Sequence, residues 1–210
     1  MKHISIEEIY LKELNNQNNW DDLYKHYEIS DEIINEFTNK INWDSISTYQ
    51  KLSENFIRKY QDKLNWLSIS ANQNLSEEFI EEFRDKVSWG TISINQKLSE
   101  DFIRKFQYDV DWVSISIHQE LSENFIREFQ DKVSWFYISI HQELSEPFIE
   151  EFKNKVDWEQ ISCFQKLSES FIERYKDKVN WYFIIRRQNL SKKFKKKYLR
   201  WRHKNETYIN

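Results

Sequence analysis

The chain has 210 residues, which is long enough for one or two domains with a substantial buried core. It contains one glycine, Gly90, and one proline, Pro147, and so few turn-forming residues exclude β-sandwiches, β-barrels and glycine-rich phosphate-binding loops. The net charge of −4 is unevenly distributed, because residues 186–204 hold ten Lys or Arg and no acid, whereas residues 1–185 hold 21 basic and 34 acidic residues. The composition predicts helices joined by short connections, in an acidic chain with a basic end.

The sequence carries no signal for export or for membrane insertion. The N-terminal stretch MKHISIEEIY lacks the apolar core of a signal peptide, and no apolar run is long enough to span a membrane. Cys163 is the only cysteine, so an intrachain disulfide is impossible and a reducing compartment is expected. We therefore expect an intracellular, cytoplasmic protein without a membrane span.

The first predicted element is a capping helix within residues 1–19. Ser5 and Glu8 have the spacing of a capping box, in which each side chain bonds the backbone N–H of the other residue. The residues expected to face the core are Tyr10, Leu11 and Leu14.

A tandem repeat follows and occupies most of the chain. With tryptophan as position 1, the unit reads W-x-x-I-S-x-x-Q-x-L-S-E-x-F-I-x-x-F-x-D-K-V and closes on Asn, Ser or Asp at position 23. The tryptophans, each 23 residues after the last, are Trp20, Trp43, Trp66, Trp89, Trp112, Trp135, Trp158 and Trp181. Eight copies in strict spacing predict a repeat architecture.

Each repeat contains two predicted helix starts. Position 11 is serine in all eight repeats and position 23 is Asn, Ser or Asp, and these residues are preferred at helix N-caps. Helix A is predicted at about positions 1–8 and a longer helix B at about positions 12–21. Apolar residues at 1 and 4 in helix A, and at 14, 15, 18 and 22 in helix B, have helical spacing, so both helices should be amphipathic.

Serine at position 5 and glutamine at position 8 recur in most repeats. These residue types could supply a nucleophile and an oxyanion donor, but six or seven copies of one active site in a chain argue against catalysis. We expect the small serine to let helices approach closely, and the glutamines to form a buried ladder that bonds backbone groups at the tight turn. The ladder residues are Gln50, Gln73, Gln96, Gln119, Gln142, Gln165 and Gln188.

One 23-residue unit cannot bury its own apolar stripe, so neighbouring units must stack. The sequence therefore predicts an all-α fold, an α-solenoid of eight two-helix repeats that forms a single domain at residues 20–203, followed by a tail at 204–210. The last repeat, residues 181–203, has Lys195 where Ile is usual and Arg202 where Val is usual. These substitutions predict a basic C-terminal cap.

The stretch ISIHQELSE occurs twice and places His118 and His141 near glutamates. Histidine beside a carboxylate is found in metal sites and in general acid–base catalysis, so a histidine-dependent enzyme or metalloprotein is one hypothesis. Equivalent side chains on stacked helices lie about 8–10 Å apart, whereas zinc needs two nitrogens at about 2.0–2.1 Å and further ligands. We therefore predict no catalytic residue, no metal site and no cofactor, and we interpret both histidines as polar residues between repeats.

The outward positions of helix A differ sharply from those of helix B. In repeats three to seven, helix A positions 2, 3, 6 and 7 hold one charged residue in twenty, Glu159, whereas helix B positions 12, 13, 16 and 17 hold seventeen in twenty. Helix B is predicted to be a solvated wall. The helix A side chains either pack against each other on a concave face or bind a protein or peptide segment. The candidate binding residues are Val113, Ile117, His118, Phe136, Tyr137, Ile140, His141 and Phe164.

The basic last repeat also has several interpretations. It could be a solubilising cap, a nuclear-localisation-like cluster, a contact for nucleic acid or an acidic membrane surface, or a site of self-association with the acidic body. The candidate polyanion-binding residues are Arg186, Arg187, Lys192, Lys193, Lys195, Lys196, Lys197, Arg200 and Arg202. Its aromatic residues Phe194, Tyr198 and Trp201 match core positions and need not stack on bases.

The unit W-x-x-I-S-x-x-Q-x-L-S-E-x-F-I-x-x-F, with the Ile, Asn and Lys bias of an AT-rich genome, resembles the short tandem-repeat proteins of giant DNA viruses that infect amoebae. The resemblance covers residues 20–201. It implies an accessory protein made in the cytoplasm of an infected host cell and supplies no catalytic residues.

Together these features predict a non-enzymatic repeat scaffold that mediates protein–protein interaction through the helix A surface, with an unidentified protein or peptide as partner. The alternative is binding of nucleic acid or another polyanion through the basic C-terminal repeat.

Overall fold

The computed structural model describes residues 2–14 and 20–205, without the side chains at 2, 11, 13, 14, 21, 22 and 199–205. It divides into two compact units, Met1–Asp111 and Trp112–Asn210. The predicted side-chain positions of Leu11, Leu14, Arg200, Trp201 and Arg202, and the tail beyond 205, lie outside the described residues.

The first unit contains the N-terminal helix and the first four repeats. Its helices are α1 (Ile6–Leu14), α2 (Trp20–His26), α3 (Asp31–Glu36), α4 (Trp43–Tyr49), α5 (Glu54–Lys59), α6 (Trp66–Asn72), α7 (Glu77–Glu82), α8 (Trp89–Asn95) and α9 (Glu100–Lys105). Two short strands, β1 (Lys2–His3) and β2 (Tyr27–Glu28), pair in parallel. Within this unit the A helices α2, α4, α6 and α8 pack side by side in chain order.

The second unit contains the last four repeats. Its helices are α10 (Trp112–His118), α11 (Glu123–Glu128), α12 (Trp135–His141), α13 (Glu146–Glu151), α14 (Trp158–Phe164), α15 (Glu169–Arg174), α16 (Trp181–Arg187) and α17 (Lys192–Asn205). The A helices α10, α12, α14 and α16 again pack side by side in chain order. The described residues thus confirm the predicted all-α fold of stacked 23-residue, two-helix repeats, the arrangement of an α-solenoid.

Helix B is shorter than the sequence predicted. In the first seven repeats it covers six residues, as in α11, whereas helix A covers seven. It ends at the aromatic residue of position 18, such as Phe129, whose φ of −105° and ψ of 29° leave the α-helical region. A turn follows, in which the N–H groups of Lys132 and Val133 both bond the Phe129 carbonyl, at 2.9 and 3.1 Å. Only in the last repeat does helix B continue, as the 14-residue helix α17.

The core repeats one cluster of aromatic and aliphatic side chains. The Trp112 ring stacks on Phe125 at a centroid distance of 6.2 Å and tilts against Phe129 at 4.9 Å. Ile115 of helix A and Ile126 of helix B are fully buried. Burial of each such side chain contributes about 1.5–3 kcal/mol, so the constant positions of the repeat are those that close the core.

The predicted serine caps of helix B are confirmed. Ser122, for example, has an extended backbone, and its hydroxyl accepts the Phe125 N–H at 3.2 Å. At position 23, the side chains of four described residues cap helix A in the same way, namely Asn42, Asn65, Asp157 and Asn180. Ser88 and Ser134 also stand at the predicted N-cap of helix A with an extended backbone, but their side chains make no cap bond.

The N-terminal helix has the predicted capping box. The Glu8 carboxylate accepts the Ser5 N–H at 3.0 Å and the Ser5 hydroxyl accepts the Glu8 N–H at 3.1 Å. The core position was predicted incorrectly, because Tyr10 is 42% exposed and Ile9 is fully buried. Ile9 lies four residues after the capping serine, which is the spacing of the buried isoleucine in every full repeat from the second to the seventh.

Candidate functional site

Within each unit, the glutamine at position 8 joins a repeat to the one before it. The Gln142 Oε1 accepts the Leu121 N–H at 3.0 Å, and its Nε2 donates to the carbonyls of Ser116 and Gln119 at 3.2 and 2.8 Å. Matching bonds are made by Gln50, Gln73, Gln96, Gln165 and Gln188. The predicted ladder is confirmed. Since both amide hydrogens and the amide oxygen are engaged, these glutamines have a structural task.

The serine at position 5 does more than allow a close approach. Ser139 is fully buried; its hydroxyl donates to the Trp135 carbonyl at 2.7 Å and accepts the Asp157 N–H at 3.0 Å. Repeat one has Tyr24 at this position, and the Tyr24 hydroxyl accepts the Asn42 N–H at 3.0 Å. The hydroxyl therefore ties helix A to the start of the next helix A, a bond that the sequence did not indicate.

The glutamate at position 12 forms a further connection between repeats. The Glu123 carboxylate accepts the Ser145 N–H of the following repeat at 2.6 Å, and Glu146 accepts the Ser168 N–H at 2.5 Å. Its local position in the first helical turn already explains an acid there. The glutamate recurs every 23 residues, so each one stands 22 residues before the capping serine of the next repeat, and this constant pairing is the signal that could have revealed the second role.

Helix B carries rows of ion pairs in which position 16 of one repeat faces position 17 of the next. The pairs are Arg58–Glu82 at 2.8 Å and Lys105–Glu81 at 2.5 Å in the first unit, and Arg127–Glu151 at 2.7 Å, Arg174–Glu150 at 2.8 Å and Lys197–Glu173 at 2.9 Å in the second. The hydrogen bond from Arg127 lowers the pKa of Glu151 below its ordinary value, with desolvation opposing the shift. The outer face of helix B is thus charged, and its charges form ion pairs with each other, whereas the outward positions of helix A carry almost no charge.

All eight residues predicted on the helix A surface lie in the second unit, on the adjacent helices α10, α12 and α14, and all are exposed or half-buried. The most exposed apolar ones are Val113 at 47%, Phe136 at 45% and Phe164 at 54%. Ile117, Tyr137 and Ile140 are half-buried, and His118 and His141 are exposed. The structure therefore brings the predicted residues together on one side of three neighbouring helices.

Ring contacts order part of this surface. Phe136 meets Tyr137 edge-to-face at a centroid distance of 5.1 Å, and Tyr137 lies 6.1 Å from the His141 ring. Such aromatic contacts favour defined ring positions. Phe136, Tyr137 and His141 thus present an ordered aromatic cluster on α12.

Two clefts border the surface at the connections from helix A to helix B. One, of about 420 Å³, is lined by Ile140, His141 and Phe164, with Glu143 and Lys166 at its polar edge. The other, of about 510 Å³, is lined by His141 with Glu120 and Glu143. His141 contributes to both clefts. The first cleft combines the apolar Ile140 and Phe164 with charged groups at its edge, a composition found in sites that bind a ligand or a peptide side chain, whereas the second cleft is mainly polar.

The first unit has exposed apolar residues at equivalent positions that the sequence reasoning did not select. Leu67 is 61% exposed at position 2 of α6, and Ile94 is 45% exposed at position 6 of α8. Their signal was the same as that of Val113 and Ile117, an aliphatic residue where packing does not require one. The described helix A side chains of this unit include no counterpart of the aromatic residues Phe136 and Tyr137 on α12.

The histidines have no arrangement typical of a metal centre in the part of the chain that the structure describes. Among those residues, no group of three His, Cys, Asp or Glu side chains could hold a metal ion. His118 and His141 belong instead to the exposed helix A surface.

The basic repeat presents its cations to solvent. Arg186, Arg187, Lys192, Lys193, Lys195 and Lys196 are exposed, as is Lys197, which pairs with Glu173. Of the aromatic residues predicted at core positions, Phe194 is buried and Tyr198 is half-buried and stacked on Trp181 at 3.8 Å, whereas the side chain of Trp201 lies outside the described residues. Tyr182 is 58% exposed, with the Arg186 guanidinium 3.8 Å from its ring centroid.

None of the described helices is both long and apolar enough to cross a membrane. Comparisons with protein-family models, curated proteins and solved structures find no match to this chain. The resemblance to tandem-repeat proteins of giant viruses therefore stays a prediction, and the functional argument depends on the geometry alone.

Proposed function

We propose that the chain is a non-enzymatic scaffold that binds a protein segment through the helix A surface of the second unit. The observation that supports this is the row of exposed apolar side chains on adjacent helices, Val113, Phe136 and Phe164. Apolar area exposed to water is unfavourable, and contiguous patches of it are characteristic of interaction sites. Cys163 is a free cysteine. It would stay a thiol in a reducing compartment, which is compatible with a cytoplasmic scaffold.

The rest of the repeat explains why these positions are available for binding. Packing between repeats is provided by the buried isoleucines, the glutamine ladder and the serine and glutamate bonds described above. None of these tasks falls on positions 2 and 7 of helix A. An aromatic residue at those positions therefore contributes little to closing the core, and recognition of a partner is a reason for its presence.

The spacing of the helices favours an extended partner segment. Neighbouring packed helices lie about 8–10 Å apart, and an extended segment in the polyproline II conformation, with three residues per turn and a rise of about 3.1 Å per residue, returns to the same face about every 9 Å. A peptide that crosses α10, α12 and α14 would therefore place every third side chain over an equivalent position. We expect apolar residues at that spacing, with one side chain in the cleft beside His141 and Phe164.

Selection of a displayed random peptide library against the full chain tests this proposal. We expect enriched peptides with apolar residues about three positions apart. The double variant Phe136→Ser with Phe164→Ser should weaken their binding at least about tenfold, because each buried aromatic side chain is worth about 1.5–3 kcal/mol and tenfold corresponds to about 1.4 kcal/mol.

The matched control is Tyr108→Ser, which removes an aromatic side chain that is 88% exposed on a turn of the first unit. It should leave peptide binding unchanged. Failure to enrich any peptide, or peptides that bind the double variant as tightly as the unchanged protein, would exclude the helix A surface as the binding site.

A further inference from the structure

The face of the last repeat that points away from repeat seven is unlike the same face of every other repeat in its unit. In repeats five to seven this face binds the next repeat through the carbonyls of positions 5 and 8, the N–H of position 10 and the glutamate at 12, and the isoleucine at 15 is fully buried. In the first unit the Thr48 hydroxyl at position 6 reaches Ser68 of the following repeat at 3.1 Å, so position 6 belongs to this face as well.

In repeat eight the same positions are occupied by cations. Arg186 stands at position 6, Lys192 at 12, Lys195 at 15 and Lys196 at 16, and all four are exposed. Lys192, Lys195 and Lys196 are spaced i, i+3 and i+4 on α17, so they form one stripe along the helix. Among the described side chains, none of these four cations has an acidic partner. We name this set of four residues the basic end face.

The basic end face is unfavourable for the helix that carries it. Lys192 and Lys193 lie in the first turn of α17, where the helix dipole favours acids and the other helix B segments have glutamate or aspartate. Lys192 and Lys196 are like charges at i, i+4, a spacing that destabilises a helix. Acidic and basic residues together would make this end equally polar without the repulsion, as in the ion-paired rows of helix B. Violations of local stability rules that cluster at one place are characteristic of binding sites.

We propose that the basic end face binds the phosphate backbone of single-stranded nucleic acid, and that Tyr182 stacks on a base. Tyr182 and Arg186 are four residues apart on α16, so the exposed ring adjoins the end face. Cations that follow the backbone beside an exposed aromatic ring are the combination by which proteins hold single strands without reading their sequence.

The surrounding charge limits the contact to this end. Residues 1–185 carry an excess of acids and repel a polyanion, whereas residues 186–204 have no acid. The strand therefore binds at the end of the stack instead of along its length. The exposed aromatic ring favours nucleic acid over an acidic peptide, which offers no base to stack.

The backbone at this end provides one more donor. In the other repeats of the unit the N–H of position 10, such as that of Leu121, is accepted by the next glutamine. The corresponding Leu190 N–H has no acceptor among the described residues. It lies between α16 and α17, where a phosphate oxygen held by Arg186 and Lys192 would be its natural partner.

Fluorescence anisotropy of a labelled oligo-dT strand with the full chain tests the proposal. Affinity should fall steeply as salt is raised. Replacing Lys192, Lys195 and Lys196 with Gln should weaken binding at least about tenfold at moderate salt, and should reduce the slope of log K against log salt by about 2, since each phosphate contact on a single strand contributes about 0.7. Tyr182→Ala should weaken binding without changing the slope.

The matched control replaces Lys51, Lys97 and Lys153 with Gln, three exposed lysines of other repeats. It removes the same charge and should leave binding within about twofold of the unchanged protein, because net charge alone is not the determinant. Equal losses in the two triple variants would overturn the proposal. So would binding of polyglutamate or of phosphatidylserine vesicles at salt concentrations where oligo-dT does not bind. The end-face variant should be at least as stable to heat as the unchanged protein, which separates lost binding from lost folding.

Discussion

The side-chain amide of Gln142 donates to the backbone carbonyl of Gln119 at 2.8 Å, so the position 8 glutamine of one repeat bonds the backbone at position 8 of the preceding repeat. The same amide oxygen accepts the Leu121 N–H. Because each bond joins equivalent parts of neighbouring repeats, the ladder couples their stabilities in the manner expected of a linear repeat array.

Gln142→Ala should destabilise the protein by about 2–4 kcal/mol, since it leaves a buried N–H and two carbonyls without partners and each such group costs about 1–3 kcal/mol with partial rehydration. Urea denaturation followed by circular dichroism measures the change. Gln160→Ala, at the half-buried position 3 of the next helix A, is the control and should cost less than about 0.5 kcal/mol. Similar losses for the two variants would show that the ladder adds no stability.

Tyr24→Phe isolates the hydroxyl bond of position 5, because the ring stays in place while the acceptor for the Asn42 N–H is lost. We expect a loss of about 1 kcal/mol in the free energy of unfolding, the usual net value of one hydrogen bond. Tyr49→Phe, which removes an exposed hydroxyl on the adjacent helix A, should be neutral. A neutral result for Tyr24→Phe would mean that water replaces the hydroxyl without cost.

Arg127→Met should raise the pKa of Glu151 toward its ordinary value, since the hydrogen bond and charge of Arg127 hold it down. The pKa is lower in the folded state than in the unfolded state, so the pair stabilises the fold above the unfolded pKa. That stabilisation is lost as the pH falls through the folded pKa. NMR titration of the Glu151 carboxyl measures the shift, and Lys97→Met serves as a remote control. An unchanged pKa in the Arg127 variant would contradict the assigned cause.

Lys192→Glu should stabilise the protein by roughly 0.3–1 kcal/mol, because it restores an acid to the first turn of α17 and removes a like-charge pair with Lys196. Thermal melts at low and high salt measure the gain, which should shrink as salt screens the charges. Lys166→Glu, which introduces an acid outside any helix, should not increase the thermal stability. No gain at low salt would remove the argument that the basic end face costs stability.

Much of the architecture could be predicted from local patterns. The Ser caps, the fully buried Ile115 and Ile126, and the Gln ladder each follow from one residue type that recurs at one position of the repeat. The end of helix B could not be predicted, because Phe129 suits the core in both a helix and a turn. Whether the backbone at Phe129 continues the helix or enters the turn depends on how the following residues pack, and the spacing of apolar residues does not indicate that packing.

The candidate site was predicted in part for a related reason. Phe136, Tyr137 and Phe164 stood out because the repeat makes no demand at their positions, and the structure places them together on adjacent helices. The basic end face was visible only as composition. That Lys192 and Lys195 occupy the places of a bonded glutamate and a buried isoleucine became clear once the contacts between repeats were known.

The alternating charges of helix B also make the order of the repeats matter. In the first unit Arg58 faces Glu82, and Glu81 faces Lys105. If recombination between near-identical repeats removed residues 66–88, Arg58 would meet Lys105, cation against cation. Genes with such repeats gain and lose copies easily, so this arrangement penalises a shortened protein at the new junction while leaving every other junction intact.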